Sequence, residues 1–153
     1  DLHSTSRRQR QMCIRDRASD MQHKFLRIGY DISAYCDNHM QEIAASHLRG
    51  GDIAVGISHS GSSRDIVEAL RTARQNGAGT ISITGSPKSP ISKESDCVLS
   101  TDSNETRYSI LGLNSRIAQL AIVDALYCYV LCQNDAAHEA IKRTEKALQT
   151  KKY

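Results

Sequence analysis

The sequence predicts an α/β chain, a three-layer αβα sandwich around a mainly parallel sheet. Three observations predict it. Short β-branched runs, at 52–58, 80–84 and 97–100, alternate with longer amphipathic segments. Gly29, Gly50-Gly51 and Gly77 fall at the ends of those segments, where a left-handed residue closes a helix. A hydroxyl-rich turn, Ser58 to Ser63, joins the first of these runs directly to a helical pattern. Such alternation implies right-handed βαβ units with helices on both faces of the sheet.

Taken in order, residues 1–17, DLHSTSRRQRQMCIRDR, show neither helical periodicity nor strand alternation. The string Met12 to Arg17 resembles translated adapter or cloning sequence, so residues 1–17 are expected to be a foreign or disordered tail and 18–153 the folded domain. From Ala18 to Gly29, Met21, Phe25 and Ile28 recur at i, i+4 and i+7, predicting a helix. Ile32 to Cys36 reads as a short strand. Asn38 is expected to cap the next helix, with Met40, Ile43, Ala44 and Leu48 as its apolar face. A strand over 52–58 follows, then a helix from Ser63 to Asn76 on Ile66, Val67, Leu70 and Ala73, ended by Gly77. Thr80 to Thr84 is a strand leading into an irregular loop, Gly85 to Pro90, and Cys97 to Ser100 is a further strand. Thr106 to Cys132 predicts a long helix. Its part from Ile117 on is apolar nearly all round except at Asp124, which implies burial on more than one side. Asp135 to Lys151 is a final amphipathic helix on Ala136, Ala140, Ile141 and Leu148.

A chain of 153 residues suffices for one domain that buries about 70% of its unfolded surface. The formal charge of +3 resides in residues 1–17, where five arginines face two aspartates; the other 136 residues carry 15 basic and 15 acidic groups. A clustered basic face for nucleic acid is therefore not expected in the domain itself. Five cysteines, Cys13, Cys36, Cys97, Cys128 and Cys132, are odd in number and lack Cys-x-x-Cys spacing, and no secretory segment or apolar run of membrane-spanning length is read. A cytoplasmic protein without membrane contact, metal or cofactor fits that pattern. Cys128 and Cys132 are read as buried small apolar residues.

The turn carries the chemistry. The first N–H groups of a helix have no internal partner and carry the positive end of its dipole, so Ser58, His59, Ser60, Gly61, Ser62 and Ser63 ahead of the helix make an anion cradle suited to phosphate. The competing reading is that Ser62 or Ser63 is only an N-cap in a polar turn.

The run Ile57 to Ser63 followed by Asp65-Ile66-Val67-Glu68-Ala69-Leu70 resembles the phosphosugar-binding turn of the sugar isomerase (SIS) domain. Lys24-Phe25-Leu26-Arg27-Ile28-Gly29, Asp37-Asn38-His39, the Ser58-His59-Ser60-Gly61 turn and Ser115-Arg116-Ile117-Ala118-Gln119-Leu120-Ala121 more narrowly resemble the effector domain of RpiR-type bacterial transcriptional regulators. The resemblance implies five strands in the order 2-1-3-4-5, so a first central strand before Ala18 is expected to be missing or replaced. It also implies that Ser58, Ser60 and Ser63 bind phosphate, that Ser86 adds a contact, and that the effector is a phosphorylated sugar or amino sugar. DNA contact through a helix-turn-helix domain absent from this chain, and a homodimer or tetramer, are further implications. Glu105 and His59 matter under the alternative, an aldose–ketose sugar-phosphate isomerase in which Glu105 moves the proton; otherwise Glu105 is a first-turn acid complementing the helix dipole. Arg107 and Arg116 are candidates for a second anionic group, with pairing to a neighbouring carboxylate as the alternative for Arg116.

Overall fold

A computed structural model describes residues 16–102 and 113–149 of the chain. The first described helix, α1, occupies residues 16–27. Asp16 and Arg17, grouped by sequence with the tail, are thus helical: the Arg17 guanidinium is buried and donates to the Gln119 side chain, and Asp16 pairs with Arg116. Residues 1–15, Cys13 among them, lie outside the described residues. Gly29 ends α1 at φ +90°, with Tyr30 N–H donating to Phe25 O at 3.1 Å and Gly29 N–H to Leu26 O at 3.1 Å.

The expected strand at Ile32–Cys36 is not one: residues 31–36 take no regular secondary structure and join no sheet among the described residues. The sheet contains β1 (Ile53–Ile57), β2 (Gly79–Thr84) and β3 (Cys97–Ser100), parallel and in chain order. The far edge of β1 pairs with no strand among the described residues. Between that edge and residues 31–35 lies a groove of about 580 Å³ whose lining includes Ala18 and Met21 from α1. The first central strand of the expected order would belong there; no strand among the described residues fills the place, so Ile32 to Cys36 has no described strand to pair with.

The same groove explains a second departure. Helix α2 (Asn38–His47) is capped not by Asn38 but by Asp37, whose carboxylate accepts from Met40 N–H at 3.1 Å. Its predicted apolar residues Met40, Ile43 and Ala44 line the groove, and Ala45 instead is buried against Ala73 and Ala78. Helix α3 (Arg64–Gln75) follows β1 and buries Val67, Leu70 and Ala73, as the periodicity predicts. It approaches the sheet closely at Gly56, where a Cβ would stand 2.7 Å from Leu70 Cδ1. Burial of a side chain such as Leu70 contributes about 1.5–3 kcal/mol.

Within the loop read as irregular, Pro90 opens a short helix, α4 (Pro90–Lys93), because its fixed φ suits a first helical position and its missing N–H leaves no donor wasted. On the other face of the sheet, Ile57, Ile83 and Leu99 pack with α1 and with α5 (Leu113–Gln133) and α6 (Asp135–Gln149) around Met21, Phe25, Ile28, Val123 and Ala137. These two layers of helices on either side of a parallel sheet form the α/β sandwich.

Burial of α5 is one-sided, contrary to the expectation from its composition: Val123 and Gln119 are fully buried, whereas Ile117 is 68% and Tyr129 66% exposed. Cys128 and Cys132 are likewise exposed. Asn114–Gln133 is, against the sequence reading, long and apolar enough to cross a membrane, with a mean hydropathy of 1.4, a property that core helices of globular domains share. In α6 the buried positions are Ala137 and Ala140, shifted by one from the predicted Ala136, and Leu148 is exposed. Residues 106–112 of the predicted long helix lie outside the described residues.

Candidate functional site

Doubly wound sheets bind ligands beyond the carboxyl ends of their strands, and here Ser58, Thr84 and Ser100 or their successors stand at those ends. Ser58 prolongs β1 by donating its N–H to Ile83 O at 3.0 Å. Its hydroxyl then turns inward. Ser58 Oγ accepts Gly61 N–H at 3.2 Å and lies 3.3 Å from Ser63 Oγ, so Ser58 braces the turn from within, and only 2% of it is exposed. Ser60 and Ser62 are exposed and linked to each other, Ser62 N–H to Ser60 Oγ at 3.4 Å and Ser62 Oγ to Ser60 O at 3.3 Å.

Gly61 makes the tight turn possible. It takes φ +63°, and a Cβ there would collide with Ser89 Oγ and stand 2.9 Å from Thr84 Oγ1. The turn is pinned to the next loop by Ile91 N–H to Gly61 O at 3.0 Å, Gly85 N–H to His59 O at 3.0 Å and Thr84 Oγ1 to His59 O at 3.3 Å. Such a backbone is preorganised, so little ordering cost remains for a ligand to meet.

Ser63 holds the N-cap position of α3, yet its side chain makes no capping hydrogen bond. The first intrahelical partner is Val67 N–H to Ser63 O at 3.1 Å, and the N–H groups of residues 64–66 find no acceptor among the described residues. This weakens the reading of the serines as a mere cap: a capping hydroxyl would occupy one of these donors, whereas here three stay open beside the hydroxyls of Ser60 and Ser63. Asp65 contributes an opposing negative charge in the first turn, and its side chain is exposed to water.

The structure brings Ser58, His59, Ser60, Gly61, Ser62 and Ser63 together as one turn and sets Ser86 in the adjoining loop. The Ser86 backbone works as a turn residue, its N–H donating to Thr84 Oγ1 at 3.2 Å and its carbonyl accepting Ser89 Oγ at 2.5 Å. The imidazole of His59 lies over Gly85, where a Cβ would come within 2.7 Å of its Nδ1. Arg116 is engaged with Asp16, as its alternative reading has it. Glu105 and Arg107 lie outside the described residues.

Sequence reasoning missed two buried residues: Thr84, whose hydroxyl ties its loop to His59 O, and Ser89, whose hydroxyl closes its own loop on Ser86 O and which packs close against Gly61. The signal for Ser89 was its place before Pro90; Thr84 reads as an ordinary β-former.

The sequence profile of the SIS domain matches residues 17–129. Among curated proteins, an uncharacterised HTH-type transcriptional regulator of Caldanaerobacter subterraneus is 43% identical over 113 residues, covering 74% of this chain and 40% of its own length. The HTH-type transcriptional regulator RpiR of Escherichia coli is 42% identical over 114 residues, 73% of this chain and 38% of RpiR. The chain thus spans about two fifths of the length of these relatives. Among solved structures, the Vibrio vulnificus NanR protein complexed with ManNAc-6P superposes with a TM-score of 0.84 at 21% identity, covering 92% of this chain and 53% of NanR.

Proposed function

The chain belongs to the SIS domain family, and we propose from that premise that it binds a phosphorylated sugar or amino sugar as the effector domain of a transcriptional regulator of carbohydrate metabolism. The observation that carries this reading is the Ser58–Ser63 turn: an uncapped helix N-terminus with three open N–H donors, flanked by hydroxyls and held rigid from below. The phosphate sits against residues 60–66, and the sugar extends toward His59 and the carboxyl end of β3. Similarity to HTH-type regulators over residues shared with RpiR supports sensing rather than catalysis. DNA contact then belongs to a helix-turn-helix domain outside this chain. The bacterial cytoplasm is the matching compartment. The exposed Ile117 and Tyr129 on α5 support pairing with a second copy.

Ser60→Ala tests the assignment. A hydrogen bond from a hydroxyl to a charged phosphate contributes roughly 1.5–3 kcal/mol, about tenfold or more in affinity. Calorimetry with N-acetylmannosamine 6-phosphate and glucose 6-phosphate should show that loss, with the melting temperature of the unliganded protein unchanged. Equal binding by both proteins, or lost stability in place of lost affinity, would return the turn to a structural role.

A further inference from the structure

The carboxyl end of the sheet holds a second group of polar atoms that the phosphate turn does not use. Thr101 donates its N–H to Thr84 O at 2.9 Å, which continues the β3 ladder one residue beyond Ser100 and sets Thr101 beside Gly85. In parallel register a row of partners shares one face, and alternation from Leu99 puts Thr101 on the face of Ile57 and Ile83, under α1 and α5. His59 comes to that face too, because its imidazole fills the space a Cβ on Gly85 would occupy.

Thr101 is 7% exposed, and its hydroxyl has no hydrogen-bond partner among the described residues. Gln119, near the start of α5 on the helix layer of the same face, is fully buried, and its Nε2 is likewise unpartnered. A buried hydroxyl and a buried amide left without partners cost stability, and natural domains rarely retain them without a reason. Neither residue contributes to the Ser58–Ser63 turn.

We propose that Thr101 is a specificity-determining residue, whose hydroxyl hydrogen-bonds the sugar end of the ligand at a ring hydroxyl or an N-acyl carbonyl while the phosphate occupies the turn. This rests on the sugar-phosphate reading above. The site is then two-sided, with donors for a dianion on the α3 side of the sheet and a buried hydroxyl for a neutral polar group on the α5 side. Phosphate supplies affinity common to many metabolites, and Thr101 selects among the sugars that carry it.

The test is Thr101→Val in the full chain, a substitution that keeps shape and removes the hydroxyl. Calorimetry would use glucose 6-phosphate, N-acetylmannosamine 6-phosphate and inorganic phosphate. The variant should bind at least one sugar phosphate about three- to tenfold more weakly, bind inorganic phosphate as the parent does, and melt no lower than the parent. Thr101→Ser should restore most of the lost affinity. Parent-like sugar-phosphate binding by Thr101→Val would overturn the inference and leave the phosphate turn standing, as would an equal loss for inorganic phosphate or a lower melting temperature, either of which makes the hydroxyl structural. A parent that binds none of the sugar phosphates at millimolar concentration would overturn the sugar-phosphate reading itself, and this inference with it.

Discussion

The two ends of the sheet treat their polar groups in opposite ways. At the amino end, Thr80 and Asp96 satisfy one another: Thr80 N–H and Oγ1 donate to Asp96 Oδ2 at 2.8 and 2.9 Å, and Asp96 N–H reaches Thr80 O at 2.9 Å. At the carboxyl end, the N–H groups of residues 64–66 and the Thr101 hydroxyl are left without partners among the described residues, although the backbone around them is firmly pinned. A folded chain ordinarily pairs its buried polar groups. The closed end pairs its polar groups within the fold, and the open end is where the proposed ligand would complete them. Threonine occurs at both, so the residue type does not decide the role; its neighbours do.

The largest expected effect would show how firmly the open end is built. Gly61→Ala places a non-glycine residue at φ +63°, costing about 1–2 kcal/mol, and drives its methyl into Ser89, where overpacking costs a further ~1–3 kcal/mol. Thermal unfolding should shift downward by roughly ten degrees, with sugar-phosphate binding lost as the two loops separate. A variant that melts within a degree or two of the parent would mean that the turn is not pinned, and preorganisation would no longer distinguish this end.

A smaller effect sharpens the contrast directly, since the same chemical change can be made at both ends. Thr80→Val removes a hydroxyl that both donates and accepts, in a residue only 1% exposed, and should cost about 1–3 kcal/mol with no change in ligand affinity. Thr101→Val removes a hydroxyl with no partner among the described residues and should cost no stability. Denaturant unfolding of the two variants side by side checks the pair. Equal destabilisation would erase the distinction between a closed and an open end.

How far this architecture is legible in the sequence depends on whether the cause is local. The β1–turn–α3 unit is legible because each part has its own signal: β-branched residues before Ser58, a glycine where φ must be positive, and Val67, Leu70 and Ala73 on one helical face. Ile32 to Cys36 has the composition of a strand, but pairing needs a neighbour, and the space beside it is a groove. Met40 and Ile43 read as a buried face for the same reason: they line that groove, which no strand among the described residues fills. On α5, composition reports hydrophobicity but not which side is covered, and the exposed Ile117 and Tyr129 follow from tertiary packing alone. The serines of the turn are conspicuous because they cluster. Thr101 is not, because a threonine ending a strand is ordinary and only the lack of a partner among the described residues sets it apart.

The smallest expected effect concerns the charge at the closed end. The hydrogen bonds from the backbone N–H and then the side chain of Thr80, with Arg74 nearby, hold the Asp96 carboxyl below its ordinary value despite a small opposing effect of burial. A depressed carboxylate stabilises the fold at every pH above its unfolded value, about 3.9, and that contribution fades as pH falls through the lower folded value. Stability conferred by this contact should therefore be constant from neutral pH to about 5 and decline in the acid range beneath about 4. The side chain of Asp96 is half exposed, so water and salt screen the effect and it should be modest. Asp96→Asn isolates it, because the amide keeps an acceptor oxygen for Thr80 but carries no charge. Melting temperatures of parent and variant should differ by a fixed amount near neutrality and converge as the pH is lowered past the carboxylate range. If the difference stays the same down to the acid limit of folding, the contact works as a neutral hydrogen bond, and the closed end owes nothing to charge.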